Sequence, residues 1–482
     1  MKNSKLISFL SQMDKKEWAQ FVDFVHSPFF NSNRKSIDLF QCLLKAYPNF
    51  EEEKIKKEKL QQLLYGELNA KTESSFAVLT NHLTNLVGTF WRHLELEQHP
   101  HTCQIMDLLA LRERGLTKHF ISRYKEINKE QAKQEKRSIA DYGNRYELLT
   151  VLQEFNAIHH DETIEVDVQE IADTFYAHSI AQRLYIACII LNKARVKAIT
   201  YNKEQIAQLL TEVENGQVLH LPIIASYYQT LLLLKDGEEK NYQELIKILA
   251  KAEIPEDELK NLYAYALNYC NKQIVKGNMG YYQEMFELYK TQIEQKLVFE
   301  GKYIKLNHAR NAVTLALRLG KFEWVEKFIK DCRRQIAPEY SDIIYQLNMA
   351  AFHFYQKNTK SYQDCIEHLN KITKDVEPIY NIERRSLLLK AYYELGEGRL
   401  FDSHIETFKS YIKTQKDITT ETKAAYNNYI RLAVKLFEEK SKLNRGRNEE
   451  KLEKLKSEIS EISSVAVNDR QWLLTKVEEL KK

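Results

Sequence analysis

The chain has 482 residues, and its formal net charge of +4 at pH 7 is small for that length. This length exceeds what one compact core usually supports, so we expect several domains or an elongated repeat array. Because both charge signs are interspersed, the composition gives no reason to expect a strong field for nucleic acid or for a membrane surface.

Cysteine and proline usage narrows the class of protein further. The six cysteines are scattered without a Cys-x-x-Cys pair, which favours reduced thiols in a cytoplasmic protein over a disulfide framework or a zinc site. The start of the chain is too broken in apolar character for a signal peptide, and no stretch approaches the roughly twenty apolar residues of a membrane span. The seven prolines fall between apolar-periodic stretches, where they interrupt no helix. We therefore predict an all-α fold.

Residues 1–100 are predicted to form an N-terminal helical region that begins with short helices. Asp14 and Glu17 have the spacing of a capping box ahead of an apolar helical face. The segment 26–31, His-Ser-Pro-Phe-Phe-Asn, then breaks the helix. We interpret its two phenylalanines as a packed corner, because burying aromatic area is a common way to fix a turn.

Residues 101–222 are predicted to form longer helices. They show helical periodicity but no repeat register, so degenerate repeats and a separate domain both remain open. The charged run 129–136 alternates in sign at helical spacing, which is typical of a solvated helix surface. A polar break is predicted at 161–167.

From residue 223 a period of forty residues organises the sequence. Its aromatic column is Tyr242, Tyr282, Phe322 and Tyr362. Two apolar columns keep the same step, namely Leu245, Met285, Val325 and Cys365, and then Leu249, Tyr289, Ile329 and Leu369. A fixed period with turn residues in register indicates a stack of similar helix pairs, in which each pair buries its apolar face against the next.

The stretch from Val313 to Pro338 resembles the tetratricopeptide repeat. It has a Leu-Gly-x-aromatic turn that ends at Phe322, apolar residues three and seven positions later, and a closing proline that recurs at Pro378. The resemblance covers residues 223–412 and implies a right-handed α-solenoid of antiparallel helix pairs (TPR-like). That family repeats at about 34 residues, and a step of forty is nearer the HEAT and armadillo range, so HEAT-like geometry is the alternative.

Residues 413–482 depart from the repeat and are predicted to form C-terminal helices that cap the array. The charge-rich stretch 440–456, with Asn-Arg-Gly-Arg-Asn at 444–448, predicts a mobile connection. A last helix after Asp469 carries Trp472 as its apolar anchor. Solenoids need atypical terminal units, and a polar helix with one aromatic anchor suits that role.

No pattern in the chain points to catalysis. There is no Gly-rich phosphate loop, no Gly-x-Ser-x-Gly elbow and no His-Glu-x-x-His helix. Two strings contain metal-binding residue types: the first is 159–162, His-His-Asp-Glu, and the second is His93, His99, His101 and Cys103. Neither has the spacing of a zinc site. We predict no enzyme activity, no cofactor and no metal.

The resemblance implies a binding groove lined by the first helix of each pair, where relatives grip extended peptides. Alignment on Phe322 assigns six residues to this groove: Asn271, Asn307, Arg310, Asn311, Thr314 and Arg318. Amide and guanidinium groups suit a peptide backbone and a carboxylate. The alternative is that these are solvated or core-edge polar residues. A two-carboxylate clamp of the chaperone-binding kind would need basic residues at 347 and 351, where the chain has Leu347 and Ala351.

These patterns together predict a non-catalytic scaffold or adaptor that binds a peptide or protein surface. One alternative is a helical-repeat protein that binds RNA, although the groove columns vary where a base-reading code would repeat. Another is a bacterial regulator that senses peptides. No membrane partner is expected.

Overall fold

The computed structural model describes residues 1–159, 164–195, 197, 199–251, 253–372, 377–442, 449–462, 467 and 469–481. Within these residues the chain forms 23 α-helices, one short 3-10 turn and one two-stranded hairpin. The all-α fold class is therefore confirmed. None of the helices in this part of the chain combines the length and the apolar character that crossing a bilayer requires. The contacts divide the chain into two compact units, Met1–Gln182 and Arg183–Lys482.

The first unit is built around one long helix. Its helices are α1 (Lys5–Leu10), α2 (Lys15–His26), α3 (Arg34–Leu44), α4 (Lys57–Tyr65), α5 (Ala70–Glu97), α6 (Pro100–Glu113), α7 (Thr117–Ala132), α8 (Ile139–His159) and the first part of α9 (Val168–Ala194). Helices α1 to α4 all contact α5. One continuous apolar cluster joins these five helices, and α6, α7 and α8 share another cluster.

The predicted capping box at the start of α2 is confirmed. The carboxylate of Asp14 accepts from the backbone N–H of Glu17 at 2.8 Å, and the backbone N–H of Asp14 donates to the Glu17 carboxylate at 3.2 Å. This reciprocal pair satisfies N–H groups that a helix start leaves without partners.

The packed aromatic corner predicted after α2 is present for Phe30 but not for Phe29. The ring of Phe30 stacks on Phe24 with centroids 4.1 Å apart, but Phe29 is 88% exposed. Buried Asn31 fixes the corner, because its amide donates to the carbonyl of Val25 at 2.9 Å. The packed-corner interpretation is therefore wrong for Phe29, since hydrogen bonding holds the turn and leaves that ring in solvent.

The second unit is a longer succession of helices. They are the end of α9, α10 (Lys203–Asn215), α11 (Pro222–Asp236), α12 (Glu239–Ala250), α13 (Glu256–Val275), α14 (Tyr281–Glu294), α15 (Leu306–Arg318), α16 (Phe322–Cys332), α17 (Pro338–Tyr355), α18 (Thr359–Asn370), α19 (Pro378–Leu395), α20 (Gly398–Thr414), α21 (Thr420–Ser441), α22 (Glu449–Glu461) and α23 (Arg470–Lys481). A 3-10 turn, Arg333–Gln335, follows α16.

From α11 to α23 every helix contacts the next one along the chain. Contacts also join alternate helices, as between α15 and α17 and between α17 and α19. Residues 223–412 thus correspond to the ten helices α11 to α20. This packing is compatible with a helical repeat.

Turn chemistry explains where the helices of a pair begin and end. Gly320 has φ +73° between α15 and α16, a backbone conformation that other residues adopt only with strain. Pro338 and Pro378 are the first residues of α17 and α19. Proline is favoured there, because its missing N–H would have had no partner in the helix. The sequence pattern predicted that these prolines end a repeat unit, but each of them is the first residue of the next helix.

Two segments differ from the sequence prediction. A short hairpin, β1 (Phe299–Glu300) and β2 (Tyr303–Ile304), lies between α14 and α15. The predicted mobile connection over 440–456 is wrong for 440–441, which end α21, and for 449–456, which belong to α22. Leu452 and Leu455 lie buried on one face of α22. The Asn-Arg-Gly-Arg-Asn string at 444–448 lies outside the described residues.

A candidate partner-binding cleft

Helix α15 carries five of the six residues that the sequence predicts to bind a partner. Four of them, Asn307, Asn311, Thr314 and Arg318, are exposed. Their spacing of three and four residues places them on one face of the helix. We call these four residues the α15 stripe. Asn271, the sixth predicted residue, is exposed on α13.

Arg310 lies apart from the stripe and is buried. It is only 8% exposed, its guanidinium donates to the side-chain oxygen of Asn348 at 3.0 Å, and it forms an ion pair with Glu383. Burial lowers the pKa of Arg310 to about 10, so the group is still protonated at neutral pH. Because its donors already have partners inside the fold, a peptide in solution has no access to them. Arg310 is therefore not part of the α15 stripe.

Two members of the stripe contact tyrosines of α14. The amide of Asn311 donates to the hydroxyl of Tyr289 at 2.9 Å. The guanidinium of Arg318 donates to the hydroxyl of Tyr282 and also covers its ring, with the guanidinium carbon 4.5 Å from the ring centroid. Such cation–π contacts orient an arginine at a surface without neutralising its charge.

Arg318 lies at the edge of a cleft of about 720 Å³. The cleft borders the turns that join the two helices of successive pairs, and α23 forms its other wall. Among the described residues its lining includes Arg318 but none of the other five predicted residues. We call this site the α23 cleft.

Half-buried aromatic side chains give the α23 cleft its apolar surface. Tyr282, Tyr355 and Tyr362 contribute from the array, and Trp472 contributes from α23. Burial raises the pKa of Tyr362, and the nearby carboxylates of Glu394 and Glu479 raise it further. The hydroxyl is therefore a neutral donor at every physiological pH.

Each acidic group of the α23 cleft is paired with a lysine of the protein, although two of the three share one lysine. Lys476 lies 2.7 Å from Glu394 and 2.6 Å from Glu479, and Lys390 lies 2.6 Å from Asp469. Burial alone would lower the pKa of Lys476, but its bonds to the two glutamates raise the pKa above its ordinary value. These ion pairs also attach α23 to α19.

Three cations in the same cleft, Arg318, Lys357 and Arg470, have no acidic partner among the described residues, and the first two of them are exposed. Lys357 follows α17 with φ +57°, in the left-handed region where glycine is usual. The cleft therefore combines apolar aromatic surface with unneutralised positive charge.

The metal-type strings from the sequence are separate from this cleft. His101 binds a glutamate at 3.0 Å, while His93 and Cys103 each bind a backbone carbonyl. Over the residues that the structure describes, no three His, Cys, Asp or Glu side chains converge as metal ligands. Residues 160–162 of the other string lie outside that part of the chain.

Sequence reasoning missed most of the cleft. Tyr282 and Tyr362 belong to the forty-residue aromatic column, which we interpreted as core packing. Of this column only Tyr242 is fully buried. The half-exposure of Tyr282 and Tyr362 could not be foreseen from the period alone. Lys357 and Trp472 have no local signal, because α23 folds back onto α19, about eighty residues earlier in the chain.

The comparisons with known proteins give no relative. No family model matches the chain, and neither a curated protein nor a solved structure matches it. The resemblance to the tetratricopeptide repeat thus depends on the turn pattern and the columns, and the described helices with their neighbour contacts are compatible with it.

Proposed function

We propose that this chain is a non-catalytic interaction scaffold whose second unit binds a peptide or protein surface. In this proposal α11 to α20 form a right-handed, tetratricopeptide-like solenoid, and the protein acts in the cytoplasm. The α15 stripe and the α23 cleft are the binding surface.

The observation that supports this proposal is the continuity between the stripe and the cleft. Arg318 belongs to both, so an extended segment that lies along Asn311 and Thr314 reaches the aromatic side chains of the cleft. Exposed amides suit the backbone of an extended peptide, and half-buried aromatic residues are typical anchors at protein interfaces.

Photo-crosslinking tests the proposed function directly. A benzophenone amino acid replaces Thr314 on the stripe or, as the matched control, Lys327, an exposed residue of α16 that does not line the cleft. After irradiation in native lysate, we expect a protein adduct from position 314 that survives nuclease and is absent from position 327. The proposal fails if position 314 gives no adduct, if both positions give the same adducts, or if the adducts disappear with nuclease.

A further inference from the structure

We propose that the α23 cleft binds an acidic segment of a partner protein, in which carboxylates lie beside small apolar side chains. This inference rests on the proposed function, because it names the chemistry of the partner that the second unit would bind. It is carried by charge, burial and ring contacts around the cleft.

Charge complementarity gives the acidic character of the partner. Five cationic and three acidic side chains line the cleft. All three acids are held by Lys390 or Lys476. Arg470 uses its guanidinium on backbone carbonyls at the end of α22. Arg318 and Lys357 are left as the cations that face solvent at the cleft, so carboxylates are the side chains it favours.

The aromatic rings indicate a peptide rather than a single-stranded nucleic acid. Nucleobases need exposed ring faces on which to stack. The ring of Tyr282 is covered by Arg318, and the ammonium of Lys390 lies 5.9 Å from the ring centroid of Trp472. The remaining surface of the rings suits the smaller apolar side chains of a peptide, and two exposed cations without an ion pair are few for a phosphate backbone.

The backbone conformation of Lys357 allows a substitution by glycine that removes the charge and should not harm the fold. Because Lys357 has φ +57°, Lys357→Gly relieves strain while it deletes the ammonium group. Arg318 is exposed, so Arg318→Gln removes the second charge at low structural cost. The matched control is Lys327→Gln with Lys416→Gln, which changes the net charge equally at two exposed sites that do not line the cleft.

The experiment selects short random peptides, displayed on phage, against the immobilised full chain. We expect the enriched peptides to carry Asp or Glu within a few positions of Leu, Ile or Val. A fluorescein-labelled copy of one such peptide, measured by anisotropy, should bind about tenfold more weakly to the Arg318→Gln, Lys357→Gly variant. The Lys327→Gln, Lys416→Gln control should bind it as the parent chain does. Added salt should weaken binding to the parent chain.

Four results would overturn the inference. They are no enrichment, enrichment of neutral or basic peptides, equal affinity for the cleft variant and the parent, or tight binding of a labelled uridine-rich RNA that the cleft variant loses. If a nuclease-resistant adduct at Thr314 persists alongside any of them, the scaffold function stands and only the chemistry assigned to the cleft is lost. If position 314 gives no adduct, the scaffold proposal fails on its own test.

Discussion

The guanidinium of Arg310 links three helices of the second unit. It extends from α15 to Asn348 on α17 and to Glu383 on α19, and it is buried while the Glu383 side chain is 41% exposed. A buried charge depends on its partners, because without them its desolvation is uncompensated. The pair therefore specifies how these helices pack more than it adds net stability.

Because Arg310 is buried and Glu383 is partly exposed, removing Glu383 alone should cost more stability than removing both charges. Glu383→Ala leaves Arg310 buried without its counter-charge and should lower the free energy of unfolding by about 3 kcal/mol. Adding Arg310→Met to Glu383→Ala should restore part of that loss, since methionine fills the space without a charge. Urea denaturation of the four members of this cycle measures both effects.

The control for this cycle is an exposed ion pair on α18. Glu367 lies 2.6 Å from Lys371 at the surface, so Glu367→Ala should change stability little. Strictly additive losses for Glu383→Ala and Arg310→Met would contradict the role assigned to Arg310.

His404 on α20 is a second residue whose environment decides its charge. Its Nε2 lies 2.7 Å from the carbonyl oxygen of Arg385, to which the neutral ring can donate. Burial lowers the pKa of His404 from its ordinary value of 6.5 to about 4, and the charges of Arg385 and Arg384 also oppose protonation. Folding therefore favours the neutral imidazole.

The sign of the resulting pH dependence follows from this depressed pKa. The stabilisation is fully present above about pH 6.5 and is lost as the pH falls towards 4, where the folded protein must accept a proton that the unfolded chain accepts more readily. We expect roughly 3 kcal/mol of stability to disappear over this range on account of His404. His404→Gln keeps a donor near the carbonyl and should flatten that part of the profile. If the free energy of unfolding, measured by urea denaturation, changed equally with pH in the parent and the variant, the effect assigned to His404 would be contradicted.

At the scale of the helices, local sequence chemistry predicts most of the architecture. The apolar columns are buried at Leu245, Val325 and Cys365, and the turn glycine before Phe322 has the positive φ that such a turn requires. These features are predictable because burial and turn geometry depend on residues a few positions apart.

Features that depend on distant segments could not be predicted in the same way. The helical period already separates Arg310, which shares a face with the buried Val313 and Leu317, from exposed Asn311. It could not predict the ion-pair partner of Arg310, because Glu383 lies about seventy residues later. The α23 cleft likewise depends on α23, whose Lys476 pairs with Glu394 about eighty residues earlier in the chain. Helix α22 was not predicted, because its segment is rich in charged residues and only a narrow face of the helix is apolar.

At the scale of the whole second unit, helix contacts mainly follow the order of the chain, although α23 also folds back onto α19. Every helix from α11 to α23 contacts its successor, and the cluster that holds Leu473 is made only of residues from α19 to α23. In such an arrangement stability is approximately a sum of local terms, so damage at one end should not spread to the other.

Two matched substitutions test this locality by hydrogen exchange. Leu473 and Leu245 are both fully buried, and each Leu→Ala change should cost about 3 kcal/mol. We expect Leu473→Ala to raise amide exchange in α19 to α23 while α11 and α12 keep their protection. Leu245→Ala should do the reverse, raising exchange in α11 to α13 and leaving α20 to α23 unchanged. If either variant raises exchange evenly from α11 to α23, the unit unfolds as one cooperative body, and a partner bound at the α23 cleft would then stabilise every helix of it alike.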